Sequence, residues 1–215
     1  VALYEINMDK NDAEHISIPI TDKLTKRWGI TADQLYQDTI KVQAAWNQPL
    51  LADLLEMGTY LNGGTRPDNL LSADKIDDTG LYVLTNYKLY NGAAMIAHDE
   101  MAQKIGNLLQ MDYYILPSTV HELLVYPDNG VISITQLQEM VKSVNATDVL
   151  PKDRLSDKVL FYNQQERRLE LATEREEYFE DKTEDTQEKK ELAEGKDKSE
   201  SEKKEDKSLK FSIRL

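Results

Sequence analysis

Apolar residues recur at strand or helix spacing along this chain as far as Leu171, and beyond Glu174 that spacing stops. A chain builds a core only where periodicity gives each element an apolar face. The break therefore predicts one folded body over residues 1–171 and a charged, disordered or partly helical tail over 172–215. In the tail 26 of 44 residues are charged, too few apolar groups to offset the entropy of ordering. Acidic and basic residues interleave there at helical spacing. Leu209, Phe211, Ile213 and Leu215 alternate with polar residues, the pattern of a terminal stub or of a strand-adding motif.

Within the body, Ala2, Tyr4 and Ile6 share one face of a strand, and the polar run Asp9 to Asp12 turns the chain into a second strand over His15 to Ile20. Thr21 caps a short helix that Gly29 ends, and Thr31 with Gln34 opens a longer one whose Leu35, Thr39, Val42 and Trp46 share a face. Pro49 begins a short helical piece, Leu50 to Met57. The breakers from Gly58 to Gly80 mark a loop, the internal segment expected to move most. Leu81 to Thr85 and Ala93 to Ala97 read as paired central strands separated by turns at Asn86 and Asn91-Gly92. Asp99 caps a helix with Met101, Ala102, Ile105, Leu108 and Leu109 on its sheet side. Strands follow at Tyr113 to Leu116 and Val120 to Tyr126, the second closed by Pro127 to Gly130. Ser133 and Gln136 form a capping box for a helix burying Ile134, Leu137, Met140, Val141 and Val144. A last hairpin joins Lys158–Tyr162 to Arg167–Leu171. Strand pairs interrupted by single helices give an α+β fold, a mixed or antiparallel sheet with helices mainly on one face.

Charge narrows the partners. The full chain carries a net charge of −13, and residues 1–171 hold 24 acidic against 15 basic residues. Phosphate backbones are bound by neutralising them with Lys and Arg, so nucleic acid is not expected as a direct partner. Another protein is. The chain has no cysteine, which excludes disulfides, a thiol nucleophile and thiolate-held metal, and reads as a reducing, cytoplasmic setting. No apolar run approaches the ~20 residues a bilayer requires, and no basic start precedes an apolar run as in a signal peptide. No glycine-rich phosphate loop follows any strand, and no cofactor is expected. The chain opens at Val1 directly into an alternating segment, so an upstream portion is expected to be missing.

The densest chemistry lies at Pro117-Ser118-Thr119-Val120-His121-Glu122. A hydroxyl, an imidazole and a carboxylate are the groups of a serine hydrolase, which makes Ser118, His121 and Glu122 the catalytic candidates. Against this, adjacent residues of a strand point to opposite faces, so Glu122 could not orient His121 from the same strand. A helical start would instead give Thr119 and Glu122 capping-box spacing, and Ser118 suits a turn. The exposed-serine elbow Gly-x-Ser-x-Gly is absent. His98-Asp99-Glu100 lacks the paired-histidine spacing of a hydrolytic metal site, and no metal is expected. Tyr82, Asn86 and Tyr114 are binding candidates, since aromatics and amides beside central strands can line a cleft. They suit sheet packing and turn geometry equally well.

The runs Tyr82-Val83-Leu84-Thr85-Asn86, Asn91-Gly92-Ala93-Ala94 and Tyr114-Ile115-Leu116-Pro117-Ser118-Thr119-Val120-His121-Glu122 resemble an uncharacterised bacterial family, the domain of unknown function numbered 5688, found in gut anaerobes. The likeness extends through Trp28-Gly29-Ile30-Thr31, Val144-Asn145 and Leu155-Ser156-Asp157, with Leu50 to Asn69 divergent. It implies one cytosolic domain corresponding to the C-terminal portion of a longer chain, and brings no activity, cofactor or partner. Together these features describe a non-catalytic interaction or regulatory module of a bacterial accessory protein. The alternatives are a small hydrolase with a Ser118/His121 site and an acidic, antitoxin-like inhibitor mimicking nucleic-acid charge.

Overall fold

A computed structural model of the chain describes residues 4–7, 16–98 and 100–173. The chain divides into two units, 1–172 and 173–215, and nearly all the described residues belong to the first. The turn expected at Asp9 to Asp12, the Asp99 cap and the charged tail past Thr173 lie outside them. So does the terminal motif. Ala172 is fully buried and its N–H donates to the Val159 carbonyl at 3.0 Å.

The first unit begins with strands β1 (Glu5–Asn7) and β2 (Ser17–Pro19), paired antiparallel. Helix α1 (Asp22–Trp28) starts after Thr21 and ends at Gly29, whose φ of 70° is open to glycine at little steric cost. Helix α2 (Ala32–Trp46) starts with half of the expected box: Gln34 N–H donates to Thr31 Oγ1, but the Gln34 side chain turns to Asp38. Val42, assigned to its buried face, is 58% exposed.

The main sheet comprises β3 (Pro49–Asp53), β4 (Tyr82–Asn86), β5 (Tyr113–Thr119), β6 (Glu122–Pro127), β7 (Leu160–Asn163) and β8 (Arg168–Leu171), in the order β3-β4-β6-β5-β7-β8 with every neighbour antiparallel. Side chains alternate between the two faces. Leu51, Tyr82, Leu84, Tyr113, Ile115, Leu123, Val125 and Tyr162 face one way, onto helix α4 (Met101–Leu109) and the 3₁₀ turns Leu70–Ser72 and Gly92–Ala97. Tyr114, Leu116, Tyr126 and Phe161 face the other way, onto helix α5 (Ile134–Thr147), and Leu50, Ala52 and Val83 onto helix α3 (Leu54–Leu61). The fold is α+β on an antiparallel sheet, as the sequence indicates. Its helices cover both faces rather than mainly one.

Two elements differ in kind from their sequence reading. Leu50 to Asp53 is strand and not helix: Leu50, Leu51 and Ala52 are fully buried and pair with β4. A short apolar run without alternation fits a strand buried on both faces as well as a helix. Asp53 then caps α3, accepting from Leu55 N–H at 2.8 Å and Glu56 N–H at 3.2 Å. The expected loop from Gly58 accordingly begins only after Leu61 and holds a 3₁₀ turn. Ala93 to Ala97 is that second 3₁₀ turn and not a strand, because β3 and β6 already occupy both edges of β4. On α5 the Ser133–Gln136 box is complete and buries Leu137, Val141 and Asn145, while Met140 and Val144 are 48% and 43% exposed. Among the described residues no helix is long and apolar enough to cross a membrane.

On the outer border of β3 one side chain takes two backbone groups. Asn69 Oδ1 accepts from Leu51 N–H at 3.2 Å and Leu71 N–H at 3.1 Å, and its Nδ2 donates to the Pro49 carbonyl at 2.9 Å. Replacing Asn69 by Ala strands these backbone groups, so Asn69→Ala should lose about 2–3 kcal/mol in urea unfolding. An unchanged midpoint would show that water replaces the amide freely.

Candidate functional site

Strands β5 and β6 are joined by the two-residue turn Val120-His121, since Thr119 pairs with Glu122. The register slips between Pro117 and Thr119, leaving Ser118 at a bulge. The turn is held from three sides. His121 N–H donates to Thr119 Oγ1 at 3.0 Å, and Thr85 Oγ1 donates to the His121 carbonyl at 2.8 Å. Ala93 N–H donates to the Val120 carbonyl at 3.2 Å, Val120 N–H to the Asp153 carbonyl at 2.8 Å, and Thr119 bridges to Arg154.

The imidazole of His121 is aimed by the same segments. Asn91 N–H donates to its Nδ1 at 3.1 Å, its Nε2 lies 3.6 Å from Asp153 Oδ1, and the Tyr90 ring sits at 5.2 Å between centroids. An N–H can meet only an unprotonated ring nitrogen, so the neutral ring carries its proton on Nε2, facing the carboxylate. Asn91 reaches this point because the preceding loop is pinned from inside. Asn86, fully buried, donates from Nδ2 to the Tyr90 carbonyl at 2.8 Å and accepts Lys88 N–H at 3.0 Å on Oδ1. Asn91 itself has φ 51°, in the left-handed region. Gly92 follows with no room for a Cβ, which would press on Thr85 Oγ1 and the His121 carbonyl.

Beside the turn, burial raises the Glu122 carboxyl above its ordinary value, with His121 opposing in part. Ser118 is half-buried on β5. Among the described residues no hydrogen bond joins it to His121 or Glu122; the imidazole's partners are Asn91 and Asp153. The structure therefore brings His121 and Glu122 to one turn and leaves Ser118 outside their network. Nor do the binding candidates present a surface. Tyr82 is buried, donates to the Asp77 carbonyl at 2.6 Å, and burial pushes its hydroxyl pKa up to about 12. Tyr114 is buried with its ring 5.3 Å from that of Phe161, and both Asn86 amide atoms serve the loop. Among the described residues no group of three or more His, Asp or Glu side chains converges as a metal ligand set.

A second polar site was invisible in the sequence. Arg66, in the loop after α3, places its guanidinium carbon 5.3 Å from the Tyr60 ring centroid and 5.2 Å from that of Tyr87. Its Nη2 donates to Tyr60 Oη at 3.0 Å and to the Tyr87 carbonyl at 3.3 Å. Only the turn residues Asn62-Gly63-Gly64 and Pro67 mark this stretch in the sequence; nothing there signals that Tyr87, 21 positions on, closes over the arginine.

A model described as a family of unknown function (DUF5688) matches residues 2–164. The chain belongs to that family. The DUF5688 match takes in β1 to β7 together with the His121 turn and the Arg66 loop, and ends before β8. No curated protein and no solved structure matches the chain.

Two outcomes test this view of the DUF5688 turn. Gly92→Ala should destabilise the domain by about 2–3 kcal/mol, because the added carbon meets backbone that cannot retreat; a melting curve matching wild type would sink the close-packing argument. For Glu122 the folded-state pKa is raised, so its contribution is fully present below the unfolded carboxyl pKa and is lost as pH rises through the folded value. Glu122→Gln should therefore be more stable than wild type at pH 7, with the gap closing in acid. Paired urea titrations at the two pH values read this out, and a gap that widens in acid would reverse the sign.

Proposed function

We propose that this domain is a non-catalytic interaction or regulatory module of a cytoplasmic bacterial accessory protein, acting through another protein. The observation that carries the reading is the bond from Asn91 N–H to His121 Nδ1. A general base must offer a free lone pair to the proton it takes. In His121 that lone pair already holds a backbone N–H, while the protonated nitrogen faces Asp153. The turn residues best placed for chemistry are thus spent on joining three segments. The absence of cysteine supports the reducing location, and the net charge of −13 weighs against direct phosphate or anionic-lipid binding.

The test combines an activity measurement with a binding one. Wild type and Ser118→Ala should hydrolyse an activated ester equally slowly, at the rate of bulk protein. Immobilised wild type should retain one discrete protein at fixed stoichiometry, in amounts that fall as salt is raised. Hydrolysis by wild type that Ser118→Ala abolishes would replace this reading with the hydrolase one.

A further inference from the structure

Arg66 is set apart from other arginines of the body by what surrounds it. Arg168 lies between Glu166, at 3.6 Å, and Glu170. Arg154 ends on carbonyl oxygens, those of Val149 at 3.2 Å and Ala146 at 3.5 Å. Arg66 meets two aromatic faces, one hydroxyl and one carbonyl. Among the described residues no carboxylate pairs with it, although the chain has 39 acidic side chains to 26 basic ones. It is exposed.

We propose that Arg66 is an anion-recognition point that takes the carboxylate of a Glu or Asp flanked by apolar residues on a protein partner. Contacts with the Tyr60 and Tyr87 rings and the two hydrogen bonds to those residues hold the guanidinium before any ligand arrives, which lowers the ordering entropy that a free arginine loses on binding. The two bonds described originate from Nη2, leaving the Nε and Nη1 protons to an incoming oxygen. Tyr60 Oη accepts from Arg66, so its own proton is a further donor on the same spot. Donors and rings together suit a single charge in apolar company, as at arginine- and tyrosine-centred hot spots. Leu61, beside Tyr60 at the end of α3, is 63% exposed and offers that company. A polyanion would meet the repulsion of the whole acidic chain; one carboxylate meets far less of it.

This inference rests on the interaction reading, but its test is separate. The ¹⁵N-labelled full chain is titrated with acetyl-Leu-Glu-Leu-amide, acetyl-Leu-Gln-Leu-amide and inorganic phosphate at matched ionic strength, following the Arg66 Nε–H signal. The glutamate peptide should move that signal saturably and the glutamine peptide should not. Arg66→Lys, which keeps the charge and loses the plane, should weaken the glutamate peptide's binding, read from amide shifts elsewhere, by about tenfold or more. Arg66→Gln, with a melting curve taken alongside, should abolish binding while the fold persists. Equal responses to both peptides, an unmoved Arg66 signal, or phosphate binding as tightly as the glutamate peptide would each overturn the proposal. Those results leave the interaction reading standing, since ester hydrolysis and partner retention decide that one.

Discussion

Strand β4 has no free edge. It pairs with β3 along five positions and with β6 along three, and all five of its residues are buried. Two of those residues, Thr85 and Asn86, are polar, and each must find a partner within the protein. Thr85 finds the His121 carbonyl, and Asn86 finds the backbone of the loop that follows it. The position of the His121 turn thus depends on the double pairing: β6 delivers the turn, and β4 delivers both the hydroxyl that fastens it and the loop whose Asn91 orients the ring.

The same device recurs elsewhere in the body. Asn69 fastens β3 to the loop after α3. Asn129 accepts from the Tyr126 hydroxyl at 2.9 Å and donates to the Asp78 carbonyl at 3.0 Å. Asn145, buried on α5, donates to the Ser156 carbonyl at 3.0 Å and to Asp157 at 2.8 Å, fixing the approach to β7. An amide both donates and accepts, so a single side chain can satisfy a carbonyl and an N–H that an irregular segment leaves over. Asn69, Asn86 and Asn129 each do both, whereas Asn145 only donates: its Oδ1, like the Tyr162 hydroxyl on β7, is buried without a hydrogen-bond partner among the described residues.

Elements marked by local chemistry were legible in the sequence. Gly29 ending α1, the Ser133–Gln136 box of α5, the stripe of α4 and the final hairpin all follow from residues within a few positions of one another. Elements decided by distant partners were not. Nothing local distinguishes Leu50-Leu51-Ala52 as a strand from the start of a helix, and nothing in Ala93 to Ala97 records that both edges of β4 are filled. The site divides in the same way. His121 and Glu122 stood out by adjacency, yet the groups that set the behaviour of the imidazole, Asn91 and Asp153, lie about thirty positions away on either side. Arg66 has no local signal because its two rings come from separate elements.

The amide of Asn69 has one more effect. A sheet that ends in bare N–H and C=O groups invites a stranger's chain to continue it. At β3 a lone side chain takes two of the positions a visiting polypeptide would use, the Leu51 N–H and the Pro49 carbonyl.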